Sequence, residues 1–565
     1  MKKLAMLILI TATVVSAAAP RISSVVLVHA TSRAEIDRLM DLGYDVDTCR
    51  KPTSEGVEVY IEPERLPELE ADGFTYEILW ADSRDRIIPN CAYDGPLYDG
   101  TRALDFDHYY TPAEANLALD YIHNRLSTVS KVYTVGTSVE GRPIKAIKIT
   151  DNPGEEEVEP EVRIIGAHHG DEKISYMVVF YFLQELADNY DNPPDNDWTR
   201  LVEGTELWVV PIMNPDGVHY NTRYNVSGVD LNRDYSYMWN GSGGSPYPFS
   251  QPETCAIRDM SLSDENTFVI SHSHHSGAEY INYIWNYIAM GDPPGDPPNQ
   301  TPPNHDFIME LSEIYQDDCG YEITNGGDWY TTNGDCNDWS MGERGDLDDT
   351  IEVSYTKTPP ASQILYYSQL NDDAQLQTLL MPLDYGFQGV VTDADTDAPL
   401  DAEVFCNDYE IQWFAFTDPA KGDYYWPVMP GTYSITVSAE GYDDKTVNGI
   451  VVNAGTPTIV NVELNPTRGG NGVPRTGTVP FALAQNAPNP AAGTTTFSFT
   501  LPEAGRTELS IYDLAGRRVA TVFDGESGAG ENSIAYDVSL LSPGIYLYRL
   551  AGVGETAVRK MVVSK

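Results

Sequence analysis

The stretch Val162-Arg163-Ile164-Ile165-Gly166-Ala167-His168-His169-Gly170-Asp171-Glu172 passes from an apolar run into a cluster of metal-binding residue types. Residues 162–166 read as a buried strand, and a largely apolar segment of helix length, Ser175 to Tyr190, follows. A strand, a tight turn and a helix in that order form the repeating unit of an α/β sheet, whose strand ends carry function. His169 and Glu172 have H-x-x-E spacing, which at such a turn can aim an imidazole and a carboxylate at one divalent cation. His168 and Asp171 make a competing H-x-x-D pair offset by one residue, and spacing alone does not separate the two.

A second cluster, His272, His274 and His275, follows the apolar run Phe268-Val269-Ile270. With His168 and His169, the clusters hold five of the ten histidines. Two neighbouring ligands and a distant third are the stoichiometry of a catalytic zinc, which keeps one coordination position open for water. A lone strand-end histidine would more simply cap a loop; two clusters together favour the metal. Such a site also needs a carboxylate that is not a ligand. Glu352, alone in Thr350-Ile351-Glu352-Val353-Ser354, is the candidate, with a water-facing edge-strand acid as the plain alternative. Asp230-Leu231-Asn232-Arg233, with Arg223 upstream, adds arginines that can polarise a carbonyl or hold a carboxylate by two parallel hydrogen bonds. Surface arginine is the ordinary reading, but basic residues are scarce in this chain.

A chain of 565 residues is too long for one core. Its 41% hydrophobic and 21% charged residues describe a globular protein. The net charge of −50, from 35 basic and 85 acidic residues, argues against nucleic-acid binding, which needs a basic footprint. Lys2-Lys3, the apolar run Leu4 to Val15 and Ser16-Ala17-Ala18-Ala19 read as a secretory signal peptide, residues 1–19. No later run is long enough for a transmembrane anchor. The six cysteines are too scattered for a disulfide scaffold; Cys319 and Cys336, flanking a polar loop, are the pair most suited to a bridge.

Residues 20–95 read as a small β-α-β-α-β unit, and Asp82 to Thr101 as a polar link open to processing. Residues 105–384 read as one large α/β domain: a mixed central sheet flanked by helices, the first helix capped by Thr111. A small β-sandwich spans 386–465, a Gly/Pro/Thr-rich linker 466–480, and a second β module 481–565.

In order along 105–384 stand Gly141-Arg142-Pro143, His169-Gly-Asp-Glu172, Asn214-Pro-Asp-Gly217, Arg223 with Asp230-Leu-Asn-Arg233, Phe268 to His275, Ile323 to Tyr330 and Thr350-Ile-Glu352. This series resembles the zinc metallocarboxypeptidases, the family of pancreatic carboxypeptidase A and of the regulatory carboxypeptidases E, N and D. The resemblance implies one Zn²⁺ per chain held by His169, Glu172 and His275, with Arg223 stabilising the oxyanion. It also implies that Asn232, Arg233 and Tyr330 grip the substrate's terminal carboxylate, and that Glu352 activates the zinc-bound water. His272 and His274 fall off the family register. Asn337 and Asn286 stand where members selective for Lys or Arg carry acidic residues or glutamine, which points to neutral terminal residues. Residues 20–95 look like an activation prosegment and 386–465 like a transthyretin-like regulatory domain. Ala487-Pro-Asn-Pro490, Ile511 to Gly516 and Gly544-Ile-Tyr546 are similar to a type IX secretion sorting domain. The implied protein is a bacterial, secreted or cell-surface exopeptidase acting on peptide and protein C-termini, its last domain recognised by secretion machinery. Two other readings are a zinc amidase or carboxypeptidase acting on peptidoglycan peptides, and a non-catalytic surface-binding protein.

Overall fold

The computed structural model describes residues 24–81 in part, 97–467 apart from 264–265, 288–300, 330 and 410–413, and most of 482–563. The proposed signal peptide, most of the link after residue 81 and the linker 468–480 lie outside the described residues.

Near the N-terminus, strands β1 (Ser24–Val28), β2 (Asp45–Val46), β3 (Val57–Ile61) and β4 (Tyr76–Trp80) form one sheet in the order β2-β3-β1-β4. Val26, Val28, Val59 and Leu69 bury its core, and helix Leu66–Ala71 leads into β4. The short strand β2 is the element that the alternating pattern of this segment did not reveal.

Residues from Tyr98 onward belong to the large domain. Tyr98 is buried against Tyr110, and its amide donates to Glu114, so the Asp82–Thr101 link is anchored at this residue. Helix Pro112–Arg125 begins at Thr111, whose hydroxyl accepts from the Glu114 amide while the Glu114 side chain reaches back, a reciprocal cap.

An eight-stranded sheet organises this domain. Its strands are β5 (Ser130–Thr137), β6 (Pro143–Ile149), β7 (Glu161–Gly166), β8 (Glu206–Val210), β9 (Phe268–His275), β10 (Glu279–Tyr283), β11 (Glu322–Asn325) and β12 (Leu347–Val353), in the order β11-β10-β12-β9-β7-β8-β6-β5. The central pairs β8–β7, β7–β9 and β9–β12 are parallel; β5–β6, β6–β8 and β10–β12 are antiparallel. Every residue of β7, β9 and β12 is buried, as expected for parallel strands covered on both faces. On one face Ile147, Ile164, Leu207, Ile270 and Ile351 pack with helices Pro112–Arg125, Ile174–Asn189, His305–Cys319 and Ile364–Leu379. On the other, Ala146, Ile165, Trp208 and Val210 meet Ile257 of helix Pro252–Ser261 and Trp339.

Among the described cysteines, Cys255, Cys319, Cys336 and Cys406 are free, so the expected Cys319–Cys336 bridge does not form. Cys319 belongs to the core on the first face of the sheet and Cys336 to that on the second. The sheet therefore stands between two thiols whose flanking loop had suggested a bridge.

Strands β13 (Phe387–Asp393), β14 (Ala402–Cys406), β15 (Phe414–Phe416), β16 (Asp423–Trp426), β17 (Gly431–Ala439), β18 (Lys445–Val452), β19 (Thr458–Ile459) and β20 (Val462–Leu464) make two sheets whose apolar residues continue the first core of the large domain. Asn304 joins them to it, donating to the Pro427 carbonyl and accepting from the Tyr409 hydroxyl. A separate unit, residues 468–565, holds β21 (Ala482–Leu483) to β27 (Glu555–Val563) in two sheets around Phe497, Ile511 and Tyr548. No helix among the described residues is long and apolar enough to cross a membrane.

Candidate active site and metal centre

The sheet delivers its chemistry at the C-terminal ends of β7, β9 and β12. Chain direction changes just past β7 at Ala167, which takes a left-handed conformation (φ 55°). The turn that follows admits only glycine at 170: a Cβ there would lie 1.9 Å from the Gly217 carbonyl carbon. This close approach presses His169-Gly-Asp-Glu172 against Asn214-Pro-Asp-Gly217, and the Asn214 amide donates to the His168 carbonyl (3.0 Å). Asp216 of the second motif accepts from Ser138 and the Glu140 amide and pairs with Arg142. Three of the quoted motifs thus brace one another.

His169, Glu172 and His275 converge, each presenting a ligand atom within 4.8 Å of the others, and all three are buried. His169 Nδ1 lies 2.9 Å from Glu172 Oε1, and His275 Nδ1 lies 3.0 Å from Glu172 Oε2 and 3.2 Å from His169 Nδ1. Asp230 accepts from His169 Nε2 at 3.0 Å, and an ionised carboxylate only accepts, so the proton belongs on Nε2 and the Nδ1 lone pair faces the group. The Glu172 carboxylate and the His169 Nδ1 lone pair then face each other and need between them a cation or a proton, which His275 Nδ1 can share. Two imidazoles and a carboxylate, backed by an acid on the outer ring nitrogen, fit zinc.

Strand periodicity separates His275 from its neighbours. Side chains alternate along β9, so His275 and Ser273 point to one face and His274 and His272 to the other. His272 Nε2 meets the Thr378 hydroxyl at 2.8 Å on the helical side of the sheet, away from the metal group. His168 meets the Tyr235 hydroxyl (2.9 Å), and Asp171 lies 3.3 Å from Lys357 Nζ, so the H-x-x-D pair is split between other partners.

Register places Glu352 directly beside His275 across the parallel β9–β12 pair. Buried, with Oε2 accepting no hydrogen bond, it is not the water-facing edge acid of the plain alternative. Burial and the charge of Glu172 push its carboxyl well above the usual range. Glu172 is held far below that range: burial opposes ionisation, but His169 and His275 outweigh it.

Arg223 is buried and clamps Asp230 through Nε (3.0 Å) and Nη2 (2.8 Å), while Nη1 lies 3.3 Å from His169 Nδ1 and 3.7 Å from Glu172 Oε1. Asn232 and Arg233 follow on the same loop. The Asn232 side chain accepts from the Cys336 amide (2.9 Å) and lies 3.4 Å from His275 Nε2; Arg233 donates to the Asn232 carbonyl (2.6 Å). A cleft of about 380 Å³ is lined by the metal group together with Arg223, Asn232, Arg233, Asn286, Trp329 and Glu352, among others. Asn286 donates to Asn337 Oδ1 (2.8 Å) and Asp335 Oδ2 (3.2 Å). Tyr330 lies outside the described residues.

Two functional neighbours had no assigned role in the sequence reading. Asp230, which orients both His169 and Arg223, stands 61 residues from the first. Its place at the head of Asp230-Leu-Asn-Arg233 is the signal that could have marked it. The Ser276 amide, which donates to Glu172 Oε2 (3.1 Å), leaves no mark in sequence.

Comparison with known proteins bears on this geometry directly. Residues 116–373 match the zinc carboxypeptidase family, peptidase M14. The chain carries a zinc carboxypeptidase domain. Residues 386–465 match a carboxypeptidase regulatory-like domain, and 487–564 a secretion system C-terminal sorting domain, which marks a bacterial secreted or surface protein. The chain is 29% identical over 362 residues to carboxypeptidase SOL1 of Arabidopsis thaliana, covering 60% of this chain and 69% of that one. It is 28% identical over 388 residues to the carboxypeptidase N catalytic chain of Mus musculus, covering 61% and 83%. The crystal structure of carboxypeptidase A from Helicoverpa armigera superposes with a TM-score of 0.50 at 18% identity, over 64% of this chain and 97% of that one. That likeness establishes the fold.

Proposed function

We propose that this metallocarboxypeptidase removes single residues from the free C-terminus of peptides and proteins, using one zinc held by His169, Glu172 and His275. The observation that carries the reading is the buried His-Glu-His group with a carboxylate, Glu352, aligned beside it on the next strand. Zinc in this group would supply a Lewis acid that brings the pKa of a bound water to about 7. Glu352 takes the proton from the attacking water and returns it to the leaving amine; its raised affinity for protons and its free Oε2 suit both steps. Arg223 is fixed by Asp230 with Nη1 toward the group, where a cation stabilises negative charge that grows only in the transition state. Asn232, Arg233 and Tyr330 hold the terminal carboxylate, the guanidinium fork of Arg233 restricting the reaction to chain ends. That restriction favours an ordinary carboxypeptidase over a peptidoglycan amidase, and the complete group argues against a purely adhesive role.

Asn286 and Asn337 shape the pocket for the departing side chain. Asp335 sits next to them but is already engaged by Thr332, by the Asp338 amide and by Asn286. A lysine or arginine side chain would therefore enter without an unengaged carboxylate to meet it, which is costly. Peptides differing only in the last residue should show kcat/KM about tenfold higher for Phe, Leu or Gln than for Lys or Arg. A clear advantage for Lys or Arg would show that Asp335 turns its charge to the substrate.

Residues 1–19 are proposed to direct export, and 20–95 to hold the enzyme latent until the link upstream of Tyr98 is cut. Comparing the uncut protein with a form trimmed before residue 97 tests latency. The trimmed form should be severalfold or more faster on a small blocked dipeptide, and equal rates would defeat the idea.

A further inference from the structure

At the opposite end of the sheet from the metal group, β7 and β8 begin with two buried acids, Glu161 and Glu206, paired in register. Glu156, from the loop before β7, joins them, the three placing carboxylate oxygens within 4.8 Å of one another. The following β module contributes Asp418 and Asp423, each about 1% exposed, from one tight turn; the Asp418 amide donates to the Asp423 carbonyl. Asp418 interacts with Glu156, and the charges of Asp423, Glu206, Glu156 and Asp418 all bear on Glu161.

Three carboxylates meet here, Asp418 and Asp423 adding their charges from the following module, and Lys148 is the ammonium beside them, 2.5 Å from Glu206 Oε2 and 3.4 Å from Glu156 Oε2. One ammonium can offset one charge of this acidic group. The decisive observation is Glu161: it is 1% exposed, and neither of its carboxylate oxygens accepts a hydrogen bond. Asp423 gives one oxygen to the Tyr425 hydroxyl (2.7 Å) and leaves Oδ1 without a partner. A buried carboxylate without partners is expensive, and such groups are normally paired or bound to metal.

We propose that Glu156, Glu161 and Glu206, with Asp418 and Asp423, form a calcium site that fastens the regulatory-like module to the zinc carboxypeptidase domain. Calcium takes six to eight oxygen ligands in flexible geometry, which suits carboxylates from two strand starts, a loop and a turn. Zinc prefers nitrogen and sulfur donors, and this group offers neither. The site holds the core of the large domain to the turn preceding β16, so calcium acts on the stability of the pair of domains and not on the reacting atoms.

The test uses the full chain, freed of metals and reloaded with one equivalent of zinc. Calcium chloride is titrated in by calorimetry and by thermal unfolding, beside Glu161→Gln and Asp423→Asn. Expected are one saturable calcium site in the parent and a Tm that climbs with calcium. Both variants should bind at least about tenfold more weakly and lose the climb. Without calcium, Glu161→Gln should unfold no earlier than the parent, because burial already favours the uncharged form of this carboxyl and the amide keeps its shape. A parent indifferent to millimolar calcium, a magnesium response as large as that to calcium, or variants that keep the parent's calcium response would each overturn the proposal. Asp423→Asn keeps the test decisive if Glu161→Gln fails to fold.

Discussion

Glu352→Gln is expected to lower kcat by roughly 10²–10⁴-fold while leaving zinc content and thermal stability close to the parent's. The amide has nearly the shape of the carboxyl and can still accept from water, but it cannot take a proton. Glu352 contributes no atom to the His169-Glu172-His275 group, so the metal has no reason to leave. Burial makes the neutral amide easy to accommodate, since burial already raises the carboxyl at this position. Steady-state rates on a blocked dipeptide, with zinc measured on the same sample, separate the two effects. Near-normal turnover would remove Glu352 from the mechanism; loss of zinc would make it part of the metal site.

His275→Ala and His272→Ala should part company although only two residues separate them. The first deletes one of three ligand atoms and should abolish both zinc binding and activity, beyond the roughly 10–100-fold that loss of an outer-sphere partner costs. The second removes a buried ring that meets Thr378 and packs on Tyr315 across the sheet. It should cost about 1–3 kcal/mol of stability and keep one zinc per folded chain. Elemental analysis of the folded fractions decides between them. Zinc lost from His272→Ala and retained by His275→Ala would reverse the assignment.

These contrasts show where the sequence was sufficient. The turn after β7 was plain because an apolar strand ends abruptly in two histidines and two acids. Choosing between His169–Glu172 and His168–Asp171 needed either a family resemblance or coordinates, since an H-x-x-acid spacing is common to both. Alternation along a strand does separate His275 from His272 and His274, once β9 is known to run through residue 275. Strands β10 and β11 were missed because Glu-Tyr-Ile-Asn-Tyr and Glu-Ile-Thr-Asn are short, polar and partly exposed at the sheet's edge. Helix Ile364–Leu379 hid for another reason: Ser368, Asn371, Gln375 and Thr378 lie on its buried side, erasing the apolar stripe that marks a surface helix. The acids around Glu161 come from four stretches between residues 156 and 423, and no spacing rule connects them.

The most direct test of the central claim is product analysis by mass spectrometry on one peptide prepared twice, with a free and with an amidated C-terminus. The trimmed, zinc-loaded enzyme should shorten the free acid one residue at a time from its C-terminal end. It should leave the amide intact, and a chelator should stop the reaction until zinc is restored. Internal cuts, or equal attack on the amidated peptide, would contradict a zinc carboxypeptidase that recognises the terminal carboxylate.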